Sequence, residues 1–416
     1  MNIRLLVLFT FTLTVINLVA QRNFHKQNFA QMYDYNKTSL HPKFQCYHDK
    51  DSSSTIFYEL DLGELTYQTK IDSSHIAKAS IHYEIFYNYK AKDLLDSGTT
   101  YFKDIDNYGK NNSSIGFFEI PMSYGSEYLV HFVFTDIYGK QSTESIMDVN
   151  KLDRYSQQNY YLRGIDRLPY LHDYINKGEE FQLISEQNNL YDEIKIKYFK
   201  PNHTIARPPM LGVKSNKRIV YPDTNFDIQF TDGYSNLLKL IDQGYYFFNF
   251  SNKQEIGYTV FQFTSNYPYI TSEMQMLMPL RYISSKKEFE NLFNSKNKKK
   301  AIESFWVEIS GSKERAKNMI KLYYNRVQNA NIFFASDKEG WMTDRGMIYI
   351  VYGAPDVVYR NKSMETWKYG DHKNNARSIT FDFYKTNNPF TNNDFIMSRS
   401  TTYGPSWNRA IEIWRR

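Results

Sequence analysis

From residue 43 to about 268 the chain alternates between short apolar-aromatic runs and polar breaks. The runs at 54–62, 65–71, 77–90, 113–122 and 127–149 are rich in Tyr, Phe, Ile and Val, residues that suit a pleated, half-buried surface. Ile81, Tyr83, Ile85 and Tyr87 fall two apart, so on an extended chain they share one face. Turn residues separate the runs at Asp96-Ser97-Gly98, Tyr108 to Asn112 and Tyr138-Gly139-Lys140. Asp136 to Gly139 reads as a last hairpin feeding a closing strand over 141–149. Short strands at this spacing predict an immunoglobulin-like β-sandwich over 43–150. Residues 150–165 read as a linker. A second β pattern follows, with strands expected at 178–186, 191–200, 224–232, 244–250 and 257–265. Pro201, Pro208, Pro209 and Pro222 mark loops or edges, because proline cannot donate to a ladder. The expected unit is a second sandwich over 151–268.

Near Tyr267-Pro268 the period changes, and 272–335 is helical by pattern. Ser284 or Ser285 is placed to cap a helix, with Glu288 completing a capping box. Gly311 ends the next helix. Ser312 starts a third, in which Ala316, Ile320, Tyr323, Val327, Ala330 and Phe334 recur at three and four and so line one face. Beyond it, Met347 to Gly353 alternates around Tyr349 and is expected to be a central strand. Gly353 to Asp356 then turns the chain into strands at 364–370 and 378–385, with a shorter one at 394–399. Trp407, Ile411 and Trp414 suit a final helix or a short strand. The whole reads as mainly β with an α+β C-terminal domain: two β-sandwich (Ig-like) modules, then a helix–helix–antiparallel-sheet domain over 269–416.

Residues 1–20 change the picture. Arg4 supplies a positive start, Leu5 to Ala20 is almost wholly apolar or Thr, and small residues precede Gln21, which is the form of a secretory signal. A segment at 21–42 then precedes the first sandwich. The expectation is secretion across the inner membrane to the periplasm or the outer membrane. No later run is long enough to span a bilayer, so the mature chain is expected to have no transmembrane span, with peripheral membrane contact left open. The one cysteine, Cys46, forms no internal disulfide, lies too far along for a lipid anchor, and is expected in a half-buried strand. At 416 residues, with 36 Tyr and 30 Phe, the chain should hold two to four domains with large β content. A net charge of +6 is mild for this length and is no nucleic-acid footprint. The basic run from Lys296 to Lys300 reads as a solvated helix start.

Candidate chemistry is sparse. There is no HExxH pair, no GxSxG elbow and no Walker or GxGxxG loop. The acidic stretch at 49–54 lacks the spacing of a calcium loop. No cofactor and no metal site are expected. Asn-x-Ser/Thr triplets at Asn36, Asn202 and Asn361 are ordinary in an Asn-rich chain.

Gly340-Trp341-Met342-Thr343-Asp344 fits the signature of the GWxTD domain, and the likeness extends over residues 279–283, 301–306, 323–331, 340–356 and 365–369. The region from Ser272 to Arg416 resembles that family throughout. The resemblance implies an exported protein of Gram-negative type with β regions ahead of a C-terminal domain. It brings no assigned reaction, so no catalytic residue is carried over. The order of elements is also similar, by fold alone, to small periplasmic docking lipoproteins of the outer-membrane assembly type.

The motif residues singled out are Gly340, Trp341, Thr343, Asp344, Arg345, Gly346, Tyr349, Gly353, Pro355, Asp356 and Trp367. Thr343 and Asp344 suit backbone capping, Arg345 a carboxylate or helix-end carbonyls, Trp341 a wedge between the long helix and the sheet, and the glycines tight backbone. The fold-corner reading outweighs catalysis at Asp344, because a carboxylate beside an Arg is a poor general acid or base near neutrality. The function expected is a non-enzymatic envelope protein with a docking domain for a protein partner, and the same motif residues are its candidate partner surface. A carbohydrate- or peptidoglycan-binding protein, using exposed aromatics, is the first alternative. An unfamiliar enzyme centred on Asp344, Arg345 and Tyr349 is the second.

Overall fold

The computed structural model describes residues 23–35, 37–71, 74–106, 113–188, 191–212, 221–250, 257–370 and 378–415. The expected signal segment 1–20, Asn36, the turn expected at 108–112 and the loop expected at 371–377 lie outside the described residues.

The first unit has eight strands: β1 Lys43–Tyr47, β2 Ser53–Asp61, β3 Gln68–Thr69, β4 His75–Phe86, β5 Asp96–Asp106, β6 Ser113–Pro121, β7 Ser126–Asp136 and β8 Gln141–Lys151. They form two antiparallel sheets, β1-β2-β6 and β3-β4-β7-β8, with β5 also paired to β4. Ile56, Leu60 and Ile120 from one sheet and Ile81, Ile85, Val130 and Phe132 from the other share one core. Phe44 and Phe132 stack across the layers with ring centroids 4.4 Å apart. Cys46 is fully buried in that core rather than half-buried. Asp96-Ser97-Gly98, expected as a turn, is instead the start of β5, paired with β4 from Ile85 to His75. The Tyr83 ring lies within 2.8 Å of where a Cβ on Gly98 would stand, so the glycine makes room for a cross-strand tyrosine.

The second unit holds β9 Tyr161–Gly164, β10 Pro169–Tyr170, β11 Glu180–Ile184, β12 Glu193–Phe199, β13 Thr224–Thr231, β14 Tyr234–Ser235, β15 Leu238–Lys239, β16 Gly244–Asn249 and β17 Gly257–Gln262. The expected linker at 150–165 therefore contains a strand, β9. The order is β10-β9-β11-β14-β13-β12-β16-β17 in one continuous sheet. β11 and β16 are four steps apart, which in a flat sheet is about 19 Å. Yet Phe181 and Phe248 on them stand 6.4 Å apart. The sheet thus doubles back on itself and encloses Leu162, Phe181, Leu183, Ile196, Phe230, Phe248 and Val260. The other face of β16 and β17 is buried too, where Phe390 packs on Tyr245, Phe247 and Phe261.

The C-terminal part contains α1 Glu273–Leu277, α2 Lys286–Asn294, α3 Lys298–Ser310, α4 Lys313–Phe334 and α5 Asp344–Tyr352, then β18 Val357–Asn361, β19 Met364–Gly370, β20 Ser378–Lys385 and β21 Phe395–Met397, then α6 Gly404–Trp414. The Ser285–Glu288 capping box starts α2, Gly311 in the left-handed region ends α3, and the Ser312 hydroxyl caps α4. The chain thus combines several antiparallel sheets with an α+β C-terminal part.

The expected strand at 347–353 is a helix. Thr343 caps it, Asp344 opens it, and Gly353, at φ 95°, closes it. Met347 to Val351 are all buried, so the run carries no period by which helix and strand could be told apart. The expected order of helices followed by a strand does not hold here, since a helix leads into Gly353-x-Pro355. The strand that follows, β18, was not anticipated. α6 replaces the alternative of a final strand. Its Trp414 Nε1 donates to Val351 O at the end of α5 (3.0 Å).

The segment ahead of the first sandwich enters the C-terminal core. Phe24, Phe29 and Tyr33 are buried there. Phe29 N donates to Val358 O (2.8 Å) and Val358 N to Asn28 Oδ1 (2.9 Å), so the segment covers the free edge of β18. Phe24 packs on Phe86 of β4, and Tyr33 on Trp367 of β19. Ten residues thus clasp two units. Among the described residues no helix is long and apolar enough to cross a membrane, which says nothing of β-barrels.

Candidate functional site

The motif occupies the bend between α4 and α5. Glu339 to Met342 turns through a short 3-10 segment whose backbone lies directly on α4. A Cβ on Gly340 would stand 1.9 Å from Ala330 O, and one on Gly346 1.9 Å from Gly340 O. Both glycines are therefore required by close backbone approach. Asn331 of α4 holds the bend from both ends of its amide: Oδ1 accepts from Trp341 N (3.1 Å), and Nδ2 donates to Pro268 O (3.1 Å). Trp341 Nε1 donates to Glu339 Oε2 (2.7 Å), and Trp341 O accepts from Tyr282 (2.8 Å). The Thr343 hydroxyl donates to Gly340 O (2.8 Å) and accepts from Gly346 N (3.0 Å).

Asp344 and Arg345 separate, as successive residues of a helix do. Asp344 Oδ2 accepts from Met397 N (2.8 Å), and Oδ1 pairs with Arg399. Arg345 lies inward, over the Phe395 ring at 4.0 Å, and donates to Asn393 O (2.9 Å) and to Glu365 Oε1 (3.3 Å). Glu365, wholly buried, also accepts from Tyr33 (2.9 Å) and from Trp367 Nε1 (3.1 Å). Burial alone would raise its pKa. Arg345 and Arg360 overturn this and hold the carboxyl below its ordinary value. Tyr349 donates to Tyr33 O (2.8 Å), and burial pushes its phenol up to about 12. Gly353 O accepts from Tyr369 (3.0 Å), and Asp356 Oδ2 accepts from Gly370 N (2.9 Å). Of the singled-out residues Asp356 is exposed and Asp344 partly so, while Pro355 and the rest are buried. Asp344 and Tyr349 do not converge on one cleft.

A cavity of about 310 Å³ lies against the motif. Its walls are mostly apolar: Phe263, Met274, Met278 and Phe293, with Trp341 and Met342 behind them. Gln262, 1% exposed, lines it, and neither its Oε1 nor its Nε2 has a hydrogen-bond partner among the described residues. The motif bend supplies one side of the cavity, through Glu339, Trp341 and Met342. Glu339, fixed by Trp341, accepts from Thr264 N (3.3 Å), and Met342 O accepts from Ala206 N (2.9 Å). Gln262, Met274 and Phe293 were missed in the sequence. They come from three distant stretches, and a Gln inside an aromatic strand carries no signal of its own.

A second group of reactive side chains sits in the first sandwich. Lys151 Nζ donates to Lys50 O (2.7 Å), Ser53 O (2.6 Å) and Ser54 Oγ (2.9 Å). His48 Nδ1 bonds Ser54 Oγ (2.9 Å) and lies 3.7 Å from Cys46 Sγ. Burial pushes the thiol up to about 12 and His48 down to about 4. A raised thiol is the opposite of an activated nucleophile, and all three hydrogens of the ammonium are spent. The cluster stitches strands. No group of three or more His, Cys, Asp or Glu among the described residues is placed to hold a metal ion.

Comparison with known proteins adds the following. No curated protein matches the chain. Among solved structures, the crystal structure of red sea bream transglutaminase is similar to it at 8% identity and a TM-score of 0.18, covering 56% of this chain and 33% of that one. A likeness at that score carries no argument. The chain thus spans about a third of the length of that protein. Residues 244–416 match the family described as the GWxTD domain, a stretch that begins at β16 and takes in most of the cavity lining, the bend and the Glu365 knot.

Proposed function

We propose that this is a non-enzymatic protein of the cell envelope, exported to the periplasm or the outer membrane, whose GWxTD domain docks an extended segment of a protein partner. The observation that carries the reading is the unpaired Gln262 carboxamide within the apolar cavity. A primary amide offers one acceptor and two donors, which matches a backbone amide of an extended polypeptide. A cavity of about 310 Å³ admits one large apolar side chain of the same segment. The motif supports this role from behind, as the wall that shapes the pocket. The buried Arg345 and Tyr349 are committed to internal bonds, which speaks for docking over a reaction at the motif.

A photo-crosslinking residue in place of the half-exposed Phe293 tests it, in the full chain at native level. The expected product joins this position to an apolar residue within an extended stretch of one envelope protein. Met274→Trp, which fills the pocket mouth, should abolish that product and leave the melting temperature unchanged. Unchanged capture in the variant, or capture of glycan alone, overturns the reading.

A further inference from the structure

A larger cavity, of about 640 Å³, opens where all three units meet, well away from the docking pocket. One wall comes from the GWxTD sheet and carries Arg360, Lys362 and Lys385. Lys362 is answered by Glu127, and Arg360 by Asp148 (3.0 Å). Lys385 has no ion pair and no hydrogen bond to its Nζ among the described residues, although it is largely sheltered and lies in the field of Arg360 and Lys362 as well as Asp148. Arg360 Nε makes no hydrogen bond among the described residues but stands 3.7 Å from Glu365 Oε1, so two carboxylates answer this guanidinium.

The facing walls are of a different kind. Gln45, His172 and Thr259 line the cavity, and Gln45 Oε1, His172 Nδ1 and Thr259 Oγ1 are buried with no hydrogen-bond partner among the described residues. Burial holds His172 low, at about 4, so it is a neutral ring. Asp173 beside it adds a carboxyl that burial raises to about 6. Tyr87, 53% exposed, and Tyr128 stack parallel at 6.1 Å on the same lining.

These walls ask for two different things. An unpaired ammonium calls for an anionic oxygen. Gln45 Oε1 needs a donor, Thr259 Oγ1 takes either role, and a neutral ring nitrogen donates or accepts by tautomer. Hydroxyls, which donate and accept at once, satisfy all three, and an aromatic face suits the C–H side of a ring. We propose that this cavity binds an acidic saccharide, with its carboxylate on Lys385 and its hydroxyls on Gln45, His172, Asp173 and Thr259. The site is distinct from the peptide pocket and does not depend on it.

Calorimetric titration of the full chain with trigalacturonate, with the uncharged galactose trimer and with inorganic phosphate tests the assignment. Trigalacturonate should bind, and Lys385→Gln should weaken it about tenfold or more, the loss expected for one charge-assisted hydrogen bond. Lys385→Arg should retain most of the affinity, and Thr259→Val should lower it several-fold with an unchanged melting temperature. The neutral trimer should bind more weakly than the acidic one by the same factor that Lys385→Gln costs. Three results overturn the proposal: no binding of trigalacturonate at millimolar concentration, equal binding by wild type and Lys385→Gln, or phosphate binding as tightly as the saccharide.

Discussion

Two buried charges are handled in opposite ways in this molecule. Lys151 sits at the end of β8 within one sandwich, and its ammonium is hydrogen-bonded by carbonyl and hydroxyl dipoles and lies over the Tyr124 ring at 4.8 Å, with no carboxylate in an ion pair among the described residues. Glu365 sits in the GWxTD sheet and is met by Arg345, with Arg360 nearby, and by two neutral donors. Dipoles compensate a charge only in part, so burial still drags Lys151 down to about 8. Full charges overcompensate, so Glu365 stays ionised. Lys151 joins strands of one unit. Glu365 joins the N-terminal segment, the helix of the motif and the sheet. A charge used to fasten elements from different units is paired with charge, and one used within a unit is left to the backbone.

The comparison can be broken first at Glu365. Glu365→Gln leaves Arg345 buried without a counter-charge, which should cost about 3–5 kcal/mol. Chemical denaturation measures this, and limited proteolysis should find new cleavage near Gln31 as the clasp loosens. A cost no larger than that of an exposed substitution would mean that Glu365 is not the fastening point. Gly340→Ala comes next. Its Cβ would meet Ala330 O at 1.9 Å, so α4 and the bend must part, at about 1–3 kcal/mol. Thermal unfolding followed by circular dichroism reads the loss.

Lys151→Met should cost about 1–2 kcal/mol near neutrality, because the orphaned carbonyls are partly offset by removal of a desolvated charge. It also has a pH signature. The folded protein releases this proton near 8, the unfolded chain only near 10.5. Between those values the unfolded chain holds more protons, so alkali favours the folded state through this group. Wild type should therefore gain on Lys151→Met as pH rises from about 8 to 10.5, in paired urea titrations. An unchanging gap would show that the ammonium is compensated as fully as Glu365 is. The smallest effect is expected at Thr343→Val, about 1 kcal/mol for the lost cap of α5, read in the same assay.

The sequence carried much of the fold where a local rule governs. β19 and β20 occupy the residues expected from alternation, and the Ser285–Glu288 box and Ser312 start helices where side-chain caps demand it. It failed where burial erases the period. α5 is buried all round, and Ile348, Ile350 and Val351 lend it the look of a strand. Gly98 looked like a turn because its reason lies in Tyr83 on another strand. The candidate sites were less legible still. Gln262, Met274 and Phe293 lie apart in the chain, as do Gln45, Thr259 and Lys385, and only the packing of separate units brings each set together. The motif itself was conspicuous, yet its side chains face inward, so its visibility reported a packing requirement before anything else.

The clasp between Tyr33 and Glu365 spans 332 positions of sequence. A contact of that range is slow to find, because the loop it closes is long. As the chain is made from its beginning, Phe29 and Tyr33 appear early and wait for the GWxTD sheet. The sandwiches can form meanwhile from nearer neighbours. The C-terminal core closes last, and a chain cut short before Glu365 leaves Phe29 and Tyr33 without the complete sheet that covers them, a ready marker for the proteases that remove incomplete products.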